Sequence, residues 1–271
     1  MKQRRRYTCL ARQVTVWVGA TIGFFGIGLA AAQNCAQLKV TAHPDYPPFA
    51  WTSAGKIDGA LIRVIDKFAQ TAGLGVTMVP AESWSQAQQL TATGQADLII
   101  GLYRSPQRDQ DLVFVNRPLA ADPVGVFVRR ADAGLIDTLA DLKSRKGVAA
   151  AGESFGPEID ERLKQELSVS RSATFAEAVA LLSEGRADYV LSGLYPGLAH
   201  LRQLGNGHGL SLTQASLIPS QSLYVAFSRN SPCLGLAASL DAAIEKMTGR
   251  GDMDGLVAEA LIRWTTAQQG K

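Results

Sequence analysis

One phrase occurs twice in this chain. Gly94-Gln-Ala-Asp97-Leu-Ile-Ile-Gly101-Leu102-Tyr103 returns as Gly185-Arg-Ala-Asp188-Tyr-Val-Leu-Ser-Gly193-Leu194-Tyr195. Each copy follows an amphipathic helix pattern and reads as helix, glycine stop, then buried strand. The copies lie about ninety residues apart, too far for a solenoid repeat but suited to two similar α/β lobes. Two alike lobes in one chain leave a cleft between them, and clefts are where small ligands bind.

Residues 1–32 stand apart. Lys2, Arg4, Arg5, Arg6 and Arg12 form a positive start, Val14 to Leu29 is apolar, and Ala30-Ala31-Ala32 supplies small residues before Gln33. These are the three parts of a cleaved secretory signal peptide, an uncleaved anchor being the alternative. The whole chain holds 27 basic and 24 acidic residues; without the five in this segment, 22 face 24, a net charge of −2. The remaining chain has no Lys/Arg cluster, so no nucleic-acid partner is expected. Export to the periplasm makes Cys35 and Cys233 a disulfide candidate, two free thiols being the alternative. His43, His200 and His208 show no metal-ligand spacing, and neither a metal nor a cofactor is expected.

Along the chain, Leu38–Ala42 and Val76–Val79 read as strands, and Asp58-Gly59 opens a helix through Leu61, Val64, Ile65 and Phe68 to Gly73. Trp84 to Thr93 is a helix leading into the first copy of the phrase. The second lobe restarts the pattern with a helical turn at Leu139–Leu142, a strand at Lys146–Ala151 and a helix from Pro157. Segments near Gly125–Arg129 and Ser222–Phe227 are expected to cross between the lobes as a two-stranded hinge. The expected division is lobe 1 over 33–127 and 225–271, and lobe 2 over 128–224.

With these residues in place, the chain resembles the extracellular solute-binding proteins of family 3, the periplasmic binding proteins of amino-acid-type ABC transporters. The resemblance rests on Tyr46-Pro-Pro-Phe49, Gly59, Trp84-Ser-Gln-Ala87, Gly94-x-x-Asp97 and Ser105-Pro-Gln-Arg108 in the first half. It continues through Leu139-x-Asp-Leu-Lys143, Gly147-Val, Gly152-x-Ser154, Gly185-x-x-Asp188 and Arg263-Trp264. It implies an α/β, two-lobed, type II-like periplasmic binding protein fold with two hinge-crossing segments. It further implies a cleft that closes on a carboxylate-bearing polar solute, delivery to a membrane permease, and a monomer that is not an enzyme.

The resemblance also carries site residues. Arg108 matches the arginine that pairs with the ligand's carboxylate, a role its planar fork suits. Tyr46 and Trp84 match flanking aromatics. Gly101, Leu102 and Tyr103 end the first phrase where the family makes ligand contacts. Gly152 and Ser154 match an anion-contacting loop, with a helix cap as the plain reading of Ser154. Gly193 stands where the family commonly places an acid for the ligand's ammonium group, so Glu153 or another acid takes that role, or the ligand is not a simple α-amino acid. Two other readings of the scaffold are a periplasmic enzyme of the cyclohexadienyl dehydratase type, with Glu153 as its acid, and a sensor that presents its ligand to a receptor.

Overall fold

A computed structural model describes residues 35–205, 209–214 and 216–269. The expected signal segment 1–32 and His208 lie outside them. In chain order, β1 (Gln37–Ala42) runs into a small antiparallel sheet of β2 (Asp45–Tyr46), β3 (Ala50–Ser53) and β4 (Lys56–Asp58). Then come α1 (Ala60–Ala72), β5 (Gly75–Met78), α2 (Trp84–Ala92), β6 (Leu98–Tyr103), β7 (Leu112–Phe114) and β8 (Ala120–Asp122). The second lobe holds β9 (Val124–Arg129), β10 (Lys146–Ala150), α3 (Pro157–Gln165), β11 (Ser168–Ser172), α4 (Phe175–Ser183), β12 (Tyr189–Gly193), α5 (Leu194–Gln203) and β13 (Leu210–Leu212). Finally, β14 (Gln221–Ser228) rejoins the first sheet, followed by α6 (Ala237–Gly249) and α7 (Asp252–Gln269).

The two copies of the phrase are the matching strands β6 and β12. The sheets run β5-β1-β6-β14-β7 and β11-β10-β12-β9-β13, so each places its first parallel strand between its second and third and then adds an antiparallel neighbour. The apolar runs are continuous because both faces of each strand are covered. On β6, Leu98 and Ile100 enter one core and Ile99 and Leu102 another; on β12, Tyr189 and Leu191 face away from Val190. The aspartates match too. Asp97 accepts from the Lys39 amide and Asp188 from the Lys146 amide, each at 2.8 Å, and pin the third strand to the first.

The hinge differs from the expected one. All of Val124–Arg129 belongs to the second sheet, where β9 pairs with β12 and β13. β14 lies inside the first sheet, paired with β6, β7 and β8. The crossings therefore fall at Pro123 and between β13 and β14, and boundaries at 127/128 and 224/225 would cut both strands. The cause is burial: Val124, Val126, Phe127 and Val128 are apolar and at most 4% exposed, which suits a packed strand and not a link through solvent. The expected helices and strands otherwise appear. The β2–β3–β4 sheet, β11 and α5 do not show in the hydrophobic periodicity, because they are short or half-exposed.

Cys35 and Cys233 form a disulfide, with Cα atoms 5.0 Å apart and a sequence separation of 198. It joins the chain just before β1 to the entry of α6, within the first lobe. Replacing both cysteines by serine is expected to lower unfolding stability by about 2–5 kcal/mol, read from urea denaturation, with the secondary structure unchanged.

Candidate functional site

In both sheets the carboxyl ends of the parallel strands point to the crevice between the lobes, where open α/β sheets place ligands. His43 follows β1, Tyr103 ends β6, Glu153 follows β10 and Gly193 ends β12. The turn of β6 into the site depends on Gly101. Its φ of +83° and the register slip between Tyr224 and Val225 make a bulge, which re-aims the strand end. Tyr46, Trp84, Gly101, Leu102, Tyr103, Arg108 and Ser154 line one small cavity of about 10 Å³ with His43, Glu153 and Leu223. Two larger spaces adjoin it. One is a cavity of about 250 Å³ that shares His43, Tyr46, Trp84 and Glu153; the other is an open groove of about 700 Å³ that shares Arg108, Glu153 and Ser154. Of the nine residues expected at the site, seven meet at the small cavity. Gly152 lines the groove instead, and Gly193 lines none of the three.

Arg108 sits in a 3₁₀ turn after β6 and is 9% exposed. Its Nη1 donates to the Tyr103 carbonyl at 2.6 Å, its Nε to Gln88 at 3.2 Å, and its Nη2 to the Gly152 carbonyl of the other lobe at 3.2 Å. The Trp84 ring lies 5.7 Å from the guanidinium carbon. Three of the five guanidinium N–H groups are thus engaged and two are left for a ligand. Arg104 turns away, pairing with Asp109 and lying over Phe114. Arg63 pairs with Asp58 and Asp66, outside the cleft.

The place of the missing acid at Gly193 is filled from the hinge. A Cβ on Gly193 would collide with Oδ2 of Asp122 and fall 2.6 Å from the Tyr46 hydroxyl. Asp122, fully buried at the end of β8, accepts from the Tyr46 hydroxyl at 2.5 Å, the Tyr103 hydroxyl at 3.5 Å and the Tyr195 amide at 3.2 Å. Burial lifts its carboxyl to about 6 against these bonds, and burial beside Asp122 raises both phenols and keeps them protonated donors. Tyr46 and Tyr103 thus brace the hinge as well as line the cavity.

The loop after β10 corrects the plain reading of Ser154. Its hydroxyl caps no helix: α3 begins at Pro157, and at its N-cap, Gly156, there is no side-chain cap. The Ser154 hydroxyl donates to Asp160 at 2.5 Å, and Asp160 also accepts from the Phe155 amide at 2.8 Å. An internal carboxylate therefore occupies this part of the expected anion-contacting loop. Glu153 projects the other way, into all three spaces. Its side chain is 11% exposed, and burial lifts its carboxyl to about 7 although the Arg108 charge pulls it down. Across the cleft, His43 Nδ1 accepts from the Asp45 amide, leaving the proton on Nε2, 3.8 Å from Glu153; burial lowers this imidazole to about 4, so it is neutral. His200 of α5 pairs with Asp45 at 3.0 Å, a second contact between the lobes.

Sequence reasoning missed His43, Asp45, Asp122 and His200 as cleft residues. His43 and Asp45 flank the Tyr46-Pro-Pro segment and so carried a positional signal. Asp122 and His200 carried none, since only the tertiary fold brings them to Gly193 and Asp45.

Two outcomes check this geometry. Glu153 in the folded protein holds its proton up to about 7, against 4.5 ordinarily, so wild-type stability falls as pH rises through that interval. Glu153→Gln removes the group, and its advantage in thermal melting should grow from about pH 5 to about pH 8, by roughly 3 kcal/mol at the limit. Gly193→Ala forces a methyl group against Asp122 and should cost about 1–3 kcal/mol in urea unfolding. Gly249→Ala, where no atom lies within 4 Å, should be harmless.

Among the described residues no group of His, Cys, Asp and Glu is placed to hold a metal ion, and no helix is long and apolar enough to cross a membrane. No curated protein matches the chain in sequence. Solved structures do. The amino acid ABC transporter substrate-binding protein AbpA from Streptococcus pneumoniae, bound to L-arginine, is 23% identical, with a TM-score of 0.70 over 88% of this chain and 98% of that one. The GluR0 ligand-binding core in complex with L-glutamate is 17% identical, with a TM-score of 0.71 over 84% and 98%. AncCDT-1, an ancestral amino acid-binding protein and precursor of cyclohexadienyl dehydratase, is 20% identical, with a TM-score of 0.68 over 83% and 95%. At these identities the likeness establishes the two-lobed periplasmic binding protein fold. Residues 38–261 match the family of bacterial extracellular solute-binding proteins, family 3, and the chain belongs to that family.

Proposed function

We propose that the chain is the periplasmic solute-binding component of an ABC importer. It takes a small carboxylate-bearing solute, an amino acid or a similar molecule, into the cleft and closes on it. The observation that carries this reading is Arg108: a buried guanidinium, fixed in the first lobe, that reaches a carbonyl of the second and keeps two donors unused. A carboxylate there would receive charge-assisted bonds in a site largely screened from water. The lobe contact through Gly152 ties ligand capture to closure, the state a permease would recognise. The relatives bound to L-arginine and L-glutamate agree with such a solute. The protein acts as a monomer without a cofactor in this reading, and a permease and an ATPase encoded beside it would separate import from presentation to a receptor.

A second reading has one observation in its favour. Glu153 keeps its proton close to neutral pH beside Arg108, as the acid of a dehydration requires. Formation of product from prephenate or arogenate would establish that activity.

Calorimetry against amino acids, polyamines and organic acids identifies the solute. Arg108→Ala should then weaken its binding about 10- to 150-fold, the worth of a hydrogen bond to a charged group. Unchanged affinity would remove Arg108 as the anchor.

A further inference from the structure

Gln88 touches both lobes beside the Arg108 anchor. It stands one turn after Trp84 on α2, so the two side chains share a helix face. The Trp84 ring lies against the Arg108 guanidinium, and the Gln88 amide lies at its edge. Gln88 Oε1 accepts from Arg108 Nε at 3.2 Å. Its Nε2 donates to the Trp84 carbonyl of its own helix and to the Gly152 carbonyl of the second lobe, each at 3.4 Å. Arg108 Nη2 donates to the same Gly152 oxygen at 3.2 Å, so both acceptor sites of that oxygen are used. Nε and Nη2 form one edge of the guanidinium fork. Two oxygens, one from each lobe, occupy that edge as the two oxygens of a carboxylate would. One N–H then remains on each terminal nitrogen, since Nη1 gives its other to the Tyr103 carbonyl. An amide is the group this place requires. A guanidinium only donates and a carbonyl only accepts, so the side chain between them must accept with one arm and donate with the other. The contact also requires Gly152. Its φ is +80°, and a Cβ there would lie 2.9 Å from Gln88 Nε2 and Ser85 Oγ and 3.1 Å from Trp84 Cδ1.

We propose that Gln88 is a positioning residue for Arg108: with the Gly152 carbonyl it holds one edge of the fork and leaves one N–H on each terminal nitrogen for the solute. The solute's part in this rests on the binding reading above, whereas the bridge from Arg108 through Gln88 to Gly152 stands on its own contacts. Without Gln88 the guanidinium keeps its bond to the Tyr103 carbonyl but can turn about it, and Nε becomes a third free donor. When the second lobe moves away, the Gly152 oxygen leaves both Nη2 and the Gln88 amide, and the fork again loses a point of support. The first lobe alone therefore meets a solute with a loosely held fork, and the two lobes together hold it with a fixed one. The contribution of Gln88 falls on release of the solute more than on its capture.

The first half of the test needs no solute. In nitrogen-15-labelled protein the Arg108 Nε–H signal is identified by its loss in Arg108→Lys, and its exchange with water is measured. Gln88→Met, similar in length and well suited to a helix but without the amide, should speed that exchange about 10-fold or more and leave thermal melting close to wild type. The second half is stopped-flow binding of L-arginine, L-glutamate and succinate, three carboxylates that differ in their other charges. Whichever the wild type binds most tightly should bind Gln88→Met about 10-fold more weakly, chiefly through faster dissociation. Gln88→Glu keeps the size and the acceptor but cannot donate to Gly152, and should weaken binding at least as much. Gly152→Ala should also speed dissociation, and Gly249→Ala, with no atom within 4 Å, should not. A side chain that only packed would be replaced by methionine without effect. Unchanged Nε–H exchange in Gln88→Met, or unchanged dissociation in both Gln88 variants, would overturn the proposal, and so would a loss confined to association. Unchanged affinity in Arg108→Ala, or no binding of any of the three probes, counts against the binding reading, and the exchange measurement then still decides whether Gln88 positions Arg108.

Discussion

Charge withdrawn from water governs this cleft. Arg108, Asp122 and Glu153 are all buried or nearly so between the lobes, where an ion without partners is costly. Arg108 is held by two main-chain carbonyls and Gln88 with two of its five N–H groups unused, and Asp122 accepts from two phenols and an amide. Nothing among the described residues satisfies Glu153. The packing of Tyr46 and Tyr103 against Asp122 and the bare backbone at Gly193 are consequences of keeping these charges in one small volume.

The two lobes share a plan but divide the chemistry. Strand order is the same in both sheets, down to the aspartate that holds the third strand to the first. Beyond the third strand the lobes diverge. After β6 the chain turns back with Arg108 under the aromatic ring of Trp84; after β12 it enters α5 at once, and His200 on that helix meets Asp45. The first lobe supplies the positive group and most of the rings, and the second supplies the carboxylate of Glu153.

The lobes, the repeated strands and the place of Arg108 were legible because each is written in a short stretch with strong periodicity or turn chemistry. The Gly193 departure was legible as an absence. Its compensation was not, because Asp122 lies some seventy residues upstream and reaches Gly193 only after β9 has paired antiparallel with β12. The hinge was misplaced for a related reason. An apolar run such as Val124–Val128 reads equally as a strand of either sheet, and only its partners decide which. Ser154 shows a further limit: its hydroxyl had a local role open to it at the helix start, and Asp160, six residues on, took it instead.

The disulfide lies wholly on one side of the hinge. Cys35 and Cys233 both belong to the first lobe, so the cross-link fastens that lobe to itself and does not tie it to the second. The cross-link thereby hardens the body that carries Arg108 and places no covalent tie on the segments that join it to the second lobe. Redox state then bears on how long the first lobe endures, and leaves the arrangement of charges in the cleft to the packing around them.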